Sequence, residues 1–331
     1  MKHSFVTPIF KKLARRLGIT LVIEPHFEYA GQIILKDGTK RYFRGTNFDL
    51  NTLGAAEIAR DKDWTTFFLK EMGYCTIKGE AFFSPRWCKA IGSDRGIERA
   101  YEYAKKINFP VFIKPNNLSQ GDGVVKVYTR IEFMQAVKYI CKKDRVFLVQ
   151  PVMEGRDYRI VVLDGEIMSA YERLPLSVTG DGHSTIIQLL EKKQKNFNHI
   201  GRDTIIQYED FRITNCLRRQ GYTRDSIVPK ATTVALLDNS NLSNGGDARD
   251  LNGSLHLTFQ KLCIDITRDM GLRYCGVDLM VQGDITAPLN NYCVIEINAA
   301  PGIDNYASSG DKQKKIVENM YHKVLQAMAN K

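Results

Sequence analysis

Apolar positions along the chain form short runs of period two and longer segments of helical period, alternating from end to end. Residues 19–24 (ITLVIE) read as a strand. Residues 31–43 alternate on either side of Asp37-Gly38, a hairpin signal. A helical stretch over 54–72 stops at Gly73, with a break expected near Asp61. The pattern predicts strands at 76–83, 110–114, 123–128 and 146–150, and helices at 94–107 and 130–141. A second hairpin spans 157–164 and 166–174 around Asp164-Gly165. Helices are predicted at 184–195, 210–220, 255–270 and 311–329, and strands at 274–281 and 291–297. Mixed elements with several hairpins point to an α+β fold rather than a doubly wound parallel sheet.

At the N-terminus, Ile9, Phe10, Leu13, Ala14 and Leu17 have helical spacing, interrupted by Lys11, Lys12, Arg15 and Arg16. The first acid is Glu24, a faint likeness to a transit peptide. An amphipathic helix packed on a core is the better reading.

Length and charge narrow the field. The 331 residues suit two domains, or one with an appendage, at about 150 residues per domain. Lysine and arginine number 47 against 37 acids, a net charge of +10. That surplus suits a nucleotide, an acidic substrate, nucleic acid or a membrane surface, and equally a merely basic exterior. The basic residues are spread along the chain and form no recognised nucleic-acid module, so no nucleic-acid partner is expected. No run approaches the roughly 18 apolar residues of a membrane span. The seven cysteines form no C-x-x-C, which removes the zinc-ribbon and thioredoxin readings. A cytoplasmic location is expected.

Phosphate-loop, dinucleotide, zinc-protease and nucleophile-elbow motifs are absent. Ser309-Gly310-Asp311-Lys312 matches S-x-x-K, but a helix start explains it. Four clusters carry chemistry. Lys114 closes the apolar strand ending FPVFIKP, where it can reach a phosphate. The following stretch Ser119-Gln120-Gly121-Asp122-Gly123 has two glycines that leave backbone N–H groups unshielded. The third cluster, Phe147 to Arg159, is an apolar strand that exits through Gln150-Pro151. Its free backbone groups could meet an adenine edge, and Asp157 ribose hydroxyls. The fourth joins Asp278 to Glu296 and Asn298 on two apolar strands. Glu296 and Asn298 are two apart and share a face; hard oxygen donors without cysteine or histidine suit Mg²⁺. For each cluster a plain alternative stays open: a solvated lysine, a flexible turn, an edge strand, a surface carboxylate.

In this order the clusters resemble an ATP-grasp ligase, close to the glutathione-synthetase half of bifunctional glutathione-forming enzymes and to the ligase region of cyanophycin synthetase. The stretches at 59–62, 180–186 (GDGHSTI) and 239–247 (NSNLSNGGD) add to the likeness, which covers about residues 55–305. The resemblance implies two α+β lobes clasping ATP: an N-terminal segment 1–55, a first lobe 56–152 holding the glycine-rich loop, and a second lobe 153–331 with the metal and substrate site. It implies phosphate contacts from Lys62 and Lys114, and closure by Gln120, Gly121 and Gly123. Gln150 and Met153 would meet the adenine and Asp157 the ribose. Arg173 would lie near the γ-phosphate with Arg159 beside it, and Asn241 near the acyl group. Asp278, Glu296 and Asn298 would hold Mg²⁺. The implied activity is ATP-dependent joining of an amino-acid or peptide carboxylate to an amine, compatible with a homo-oligomer. Leu237-Asp238 stands where relatives often carry an arginine, which keeps open a catalytically weak homologue that binds nucleotide or a partner.

Overall fold

The computed structural model describes residues 4–251 and 253–329, so residues 1–3, 330 and 331 of the expected end segments, and Asn252, lie outside it. Helix α1 (Val6–Leu17) turns Val6, Phe10, Leu13 and Ala14 inward and its four basic residues outward, as the spacing predicts. Four antiparallel strands follow: β1 (Thr20–Ile23), β2 (Ala30–Ile34), β3 (Lys40–Arg44) and β4 (Asn47–Phe48). Phe10 packs edge-on to Phe43 at 5.0 Å between ring centres.

The helical stretch over 54–72 is two helices, α2 (Leu53–Arg60) and α3 (Lys62–Glu71). The break falls at Asp61, whose carboxylate caps α3 by accepting from Trp64 N–H. Strand β5 (Glu80–Phe83) is shorter than predicted. An unpredicted helix α4 (Pro85–Ile91) starts on a proline at its first turn. Then come α5 (Ile97–Lys106), β6 (Val111–Pro115), β7 (Val125–Val127), α6 (Arg130–Ile140) and β8 (Val146–Pro151). The strands form an antiparallel sheet in the order β5-β8-β6-β7, and α5 and α6 cover it through Ala100, Ala104, Phe133 and Val137.

The rest builds a larger sheet and its cover. The elements are β9 (Arg156–Leu163), β10 (Glu166–Leu174), β11 (Ser177–Thr179), α7 (Ile186–His199), α8 (Phe211–Arg219), β12 (Thr233–Ala235) and a single 3₁₀ turn, Leu242–Asn244. They continue with β13 (Asp247–Asp250), α9 (Leu257–Asp269), β14 (Tyr274–Val281), β15 (Tyr292–Asn298), α10 (Asp304–Ala307) and α11 (Asp311–Ala329). The large sheet runs β13-β10-β9-β14-β15, antiparallel throughout. One face buries Tyr158, Ile160 and Val162 against α9. The opposite face buries Val161, Leu163 and Tyr274 in a core that also holds Phe10, Phe43 and Tyr321. Strands β11 and β12 pair with each other, and α7 and α8 join them in a separate core around Ile186, Leu190, Ile213 and Leu217.

The architecture is α+β, as the pattern predicts. The expected boundary at 56 cuts across packing: Ala59 of α2 and Leu69 of α3 lie in the core of the large sheet, not of the β5–β8 sheet. Among the described residues no helix is long and apolar enough to cross a membrane.

Candidate active site

Side chains alternate across a strand, so Asp157 and Arg159 share a face with Val161 and Leu163. Toward its α11 end that face is apolar; toward the other end it is charged. Register places Asp278 opposite both Arg159 and Glu296, and Arg173 opposite Asp157. Asp278 is fully buried. Arg159 donates both Nε and Nη2 to its carboxylate, the Nη2 contact at 2.7 Å. Arg173 adds Nη1 at 2.9 Å and donates Nε and Nη2 to Asp157 Oδ1 at 2.9 and 2.6 Å. Burial pushes the Asp278 carboxyl up; the two guanidiniums counter it, and Asp278 in turn raises theirs. Burial also raises Asp157, to about 6, against the pull of Arg173.

Glu296, one strand over, is more open. Burial opposes its ionisation, but Lys62, Arg159 and Arg173 outweigh burial and hold it at about 2. Lys62 Nζ stands 3.8 Å from Glu296 Oε2, and Asn298 Nδ2 donates to Glu296 Oε1 at 3.2 Å. Lys62 is aimed there by its place at the start of α3 and by the backbone carbonyls of Asn116 and Leu118, at 3.2 and 2.8 Å. No group of three or more His, Cys, Asp or Glu side chains that could hold a metal occurs among the described residues. Glu296 and Asn298 nevertheless fit a hard cation that brings most of its ligands with it, as Mg²⁺ does with phosphate oxygens and water. Asp278 is joined to them by register, but its carboxylate is occupied by arginines.

The β5–β8 sheet supplies the facing wall. Lys114 on β6 is buried, and burial lowers its ammonium to about 8. Glu296 and Asp157 act on that charge favourably, Lys62 and Arg173 unfavourably, so Lys114 lies within electrostatic reach of all four. Gln150 on β8 is register partner of Phe112. Its side-chain Oε1 is buried and without a hydrogen-bond partner. A buried acceptor left unpaired costs about 1–3 kcal/mol, and an incoming N–H donor would remove that cost. Met153 lies half-buried on the connection from β8 to β9.

The glycine stretch 119–123 bridges the cleft to the 239–247 segment. Gly121 has φ +69°, and a Cβ there would come within 2.6–2.9 Å of Asn239 Nδ2, Asn244 Nδ2 and Asn241 Cβ. Only glycine permits that approach. Gln120 also has positive φ, at 60°. Asn241 caps the 3₁₀ turn, its Oδ1 accepting from Ser243 N–H at 2.9 Å.

The structure therefore gathers Lys62, Lys114, Asp157, Arg159, Arg173, Asp278, Glu296 and Asn298, with Gln150 on the neighbouring strand; Gly121 meets Asn241 in the loop contact, while Gly123 packs toward Ile140 and Pro115 and Gln120 lies beside Gly121 in the chain. Sequence reasoning missed Asn116, which is buried, donates to Asp61 Oδ2 at 2.6 Å and accepts from Asp63 N–H at 3.0 Å. Asn239, named only within the 239–247 stretch and given no role there, has both amide atoms buried without partners. An asparagine after a strand lysine was the one available signal for Asn116.

Comparison with known proteins places these features in a family. Residues 84–198 match the family described as D-ala D-ala ligase C-terminus, and residues 225–320 the RimK-like ATP-grasp domain. Cyanophycin synthetase of Trichormus variabilis is 29% identical over 305 residues, covering 89% of this chain and 32% of its own. The glutathione biosynthesis bifunctional protein of Streptococcus agalactiae serotype V is 31% identical over 202 residues, 58% of this chain and 27% of its own. The chain thus spans between about a quarter and a third of the length of these relatives. In fold it is similar to a bifunctional glutathione synthetase from Pasteurella multocida, at TM-score 0.59 and 24% identity over 97% of this chain and 44% of the other. Two matched family regions, these relatives and the shared fold agree: the chain belongs to the ATP-grasp family.

Proposed function

We propose that the chain is an ATP- and Mg²⁺-dependent ligase that joins the carboxylate of an amino acid or short peptide to an amine through an acyl phosphate. The observation that carries this reading is the convergence of Lys62, Lys114 and Glu296 on one cleft crossed by the glycine stretch. Lys62 and Lys114 meet the phosphates; the unpaired Gln150 Oε1 takes the adenine amino group, with Met153 beside the ring. Asp157, raised by burial and braced by Arg173, faces the ribose. A carboxylate oxygen attacks the γ-phosphorus and ADP leaves. The amine nitrogen then attacks the acyl carbon, phosphate leaves, and the amine loses a proton. Glu296 and Asn298 would hold Mg²⁺, which would offset charge in phosphoryl transfer. Arg173 and Arg159 hold the Asp278 carboxylate in place beneath this site, and Asn241 borders the acyl position. Residues 119–123 exclude water, which would hydrolyse the intermediate.

The net charge of +10 supports an acidic amino acid or acidic peptide as one substrate. Seven free thiols fit a cytoplasmic enzyme. The test is phosphate release with ATP, Mg²⁺ and a panel of amino acids and short peptides. Release that rises with a carboxylate–amine pair is expected; a wild-type chain that binds no ATP overturns the reading. One observation favours a weaker homologue instead: Leu237 is buried in the α7–α8 core, so no cation reaches the acyl side from that position. Nucleotide binding without turnover on any pair would select that reading.

A further inference from the structure

The glycine stretch is tied to both sides of the cleft, and the two ties differ. On its own side, Asp122 accepts from Tyr139 Oη at 2.7 Å and from Lys143 Nζ at 2.8 Å, both at the α6 end of the β5–β8 sheet. Beyond its own sheet it meets Arg212 in the first turn of α8, beside Phe211, which packs on Tyr139. Arg212 Nη1 donates to the carbonyl of Gly121 at 2.8 Å and of Val124 at 3.2 Å. Its remaining donors are fixed: Nε lies 3.1 and 2.9 Å from the two Asp210 oxygens, and Nη2 2.6 Å from Oδ2. Asp210 is itself held as the α8 N-cap, accepting from Arg212 N–H at 2.9 Å. The guanidinium is therefore a rigid fork, with one prong locked to the helix start and the other presented to the loop. Asn244 Nδ2 reinforces it on Gly121 O at 3.2 Å. The side chain is only 11% exposed, which strengthens these charge-assisted bonds.

We propose that Arg212 is a positioning residue that latches residues 119–124 shut over the nucleotide phosphates. The inference rests on the nucleotide reading of the cleft. The bonds from Arg212 to the loop are polar, so they can break to admit nucleotide and re-form before chemistry while Phe211 stays packed on Tyr139. Phe211 at the start of α8 packs on Tyr139 of α6, while Ile213 and Leu217 lie in the β11–β12 core, so the latch joins the loop to a helix shared by both cores. Loss of the latch leaves the acyl phosphate open to water, which attacks in place of the amine.

The experiment is backbone-amide deuterium exchange on the full chain, without nucleotide and with a non-hydrolysable ATP analogue plus Mg²⁺. Arg212→Ala should speed exchange of 119–124 by about tenfold without nucleotide, the scale expected for charged hydrogen bonds. Residues 213–219 of α8 should exchange as in wild type. The KM for ATP should rise, and ADP formed per amide should rise with it. Arg212→Lys keeps the charge but loses the fork, so it should fall between; it also serves if Arg212→Ala does not fold. Unchanged exchange at 119–124 overturns the latch. Equal acceleration across α8 also overturns it, since Arg212 would then only support the helix. A wild type that binds no analogue, with the exchange contrast intact, overturns the nucleotide reading and the latch's role with it.

Discussion

On the large-sheet wall of the cleft, Asp278 is fully buried, yet each of its oxygens has a guanidinium partner. On the facing wall, Gln150 is as deeply placed but its Oε1 has no hydrogen-bond partner, and burial holds Lys114 at about 8. Both walls bury polar groups, and burial without compensation is costly. One wall meets that cost within the protein; the other leaves it for something that arrives. In the proposed function the saturated wall positions groups and the unsaturated wall binds. Glu296 stands between these cases, partnered at 3.2 Å by Asn298 and 3.8 Å from Lys62, with room for more.

The strongest way to break this comparison is Asp278→Asn. It leaves Arg159 and Arg173 facing a neutral amide, and unpairing a buried charge costs about 3–5 kcal/mol. The urea midpoint should fall steeply, and further than with Glu296→Gln, whose more open carboxylate is held by looser contacts. Equal midpoints for the two variants would erase the distinction between the saturated and open carboxylates.

Glu296→Gln should instead act on chemistry. Keeping the shape while removing the negative oxygen weakens Mg²⁺ binding, and turnover should drop by about a hundredfold or more. ADP formation titrated against Mg²⁺ checks this; wild-type turnover and Mg²⁺ dependence would end the metal assignment. Asn298→Ala should follow more mildly.

Lys114→Ala tests the unsaturated wall. ATP affinity should weaken by about tenfold from loss of one phosphate contact, while the unfolding midpoint holds or rises, because a costly buried ammonium is gone. Calorimetry with ATP and a denaturant curve together decide it, and unchanged affinity would remove Lys114 from the site.

The smallest effect is a proton. Lys114 sits at about 8 in the folded chain and near 10.5 unfolded, so the unfolded chain holds more protons between these values. Stability of the nucleotide-free protein should therefore gain from Lys114 as pH rises through that window, a gain missing in Lys114→Gln. Phosphates should restore the charge, so ATP binding at pH 8 should take up about half a proton. Calorimetry in buffers of different ionisation enthalpy reads it; no uptake would show that phosphate does not reach Lys114.

Local pattern carried most of the elements. Both hairpins, the break at Asp61 and the long helices lie where spacing and turn residues put them. The misses are short. Strands β11 and β12 have three residues each, too few for alternation to register. Helix α4 has seven and buries none of its side chains, so it shows no apolar stripe.

What the sequence by itself determined is what one strand or turn can hold. Glu296 and Asn298 share a face because strand side chains alternate, and Lys114 ends an apolar strand whatever it packs against. Only the tertiary structure decided how those groups are compensated. Arg159 reaches Asp278 across 119 positions, Arg212 reaches Gly121 across 91, and Lys62 reaches the Asn116 carbonyl across 54. Contacts over such separations leave no periodic trace in a single chain. They depend on sheet register and on which cores pack together, and these decide whether a buried charge is satisfied from within or kept for a ligand.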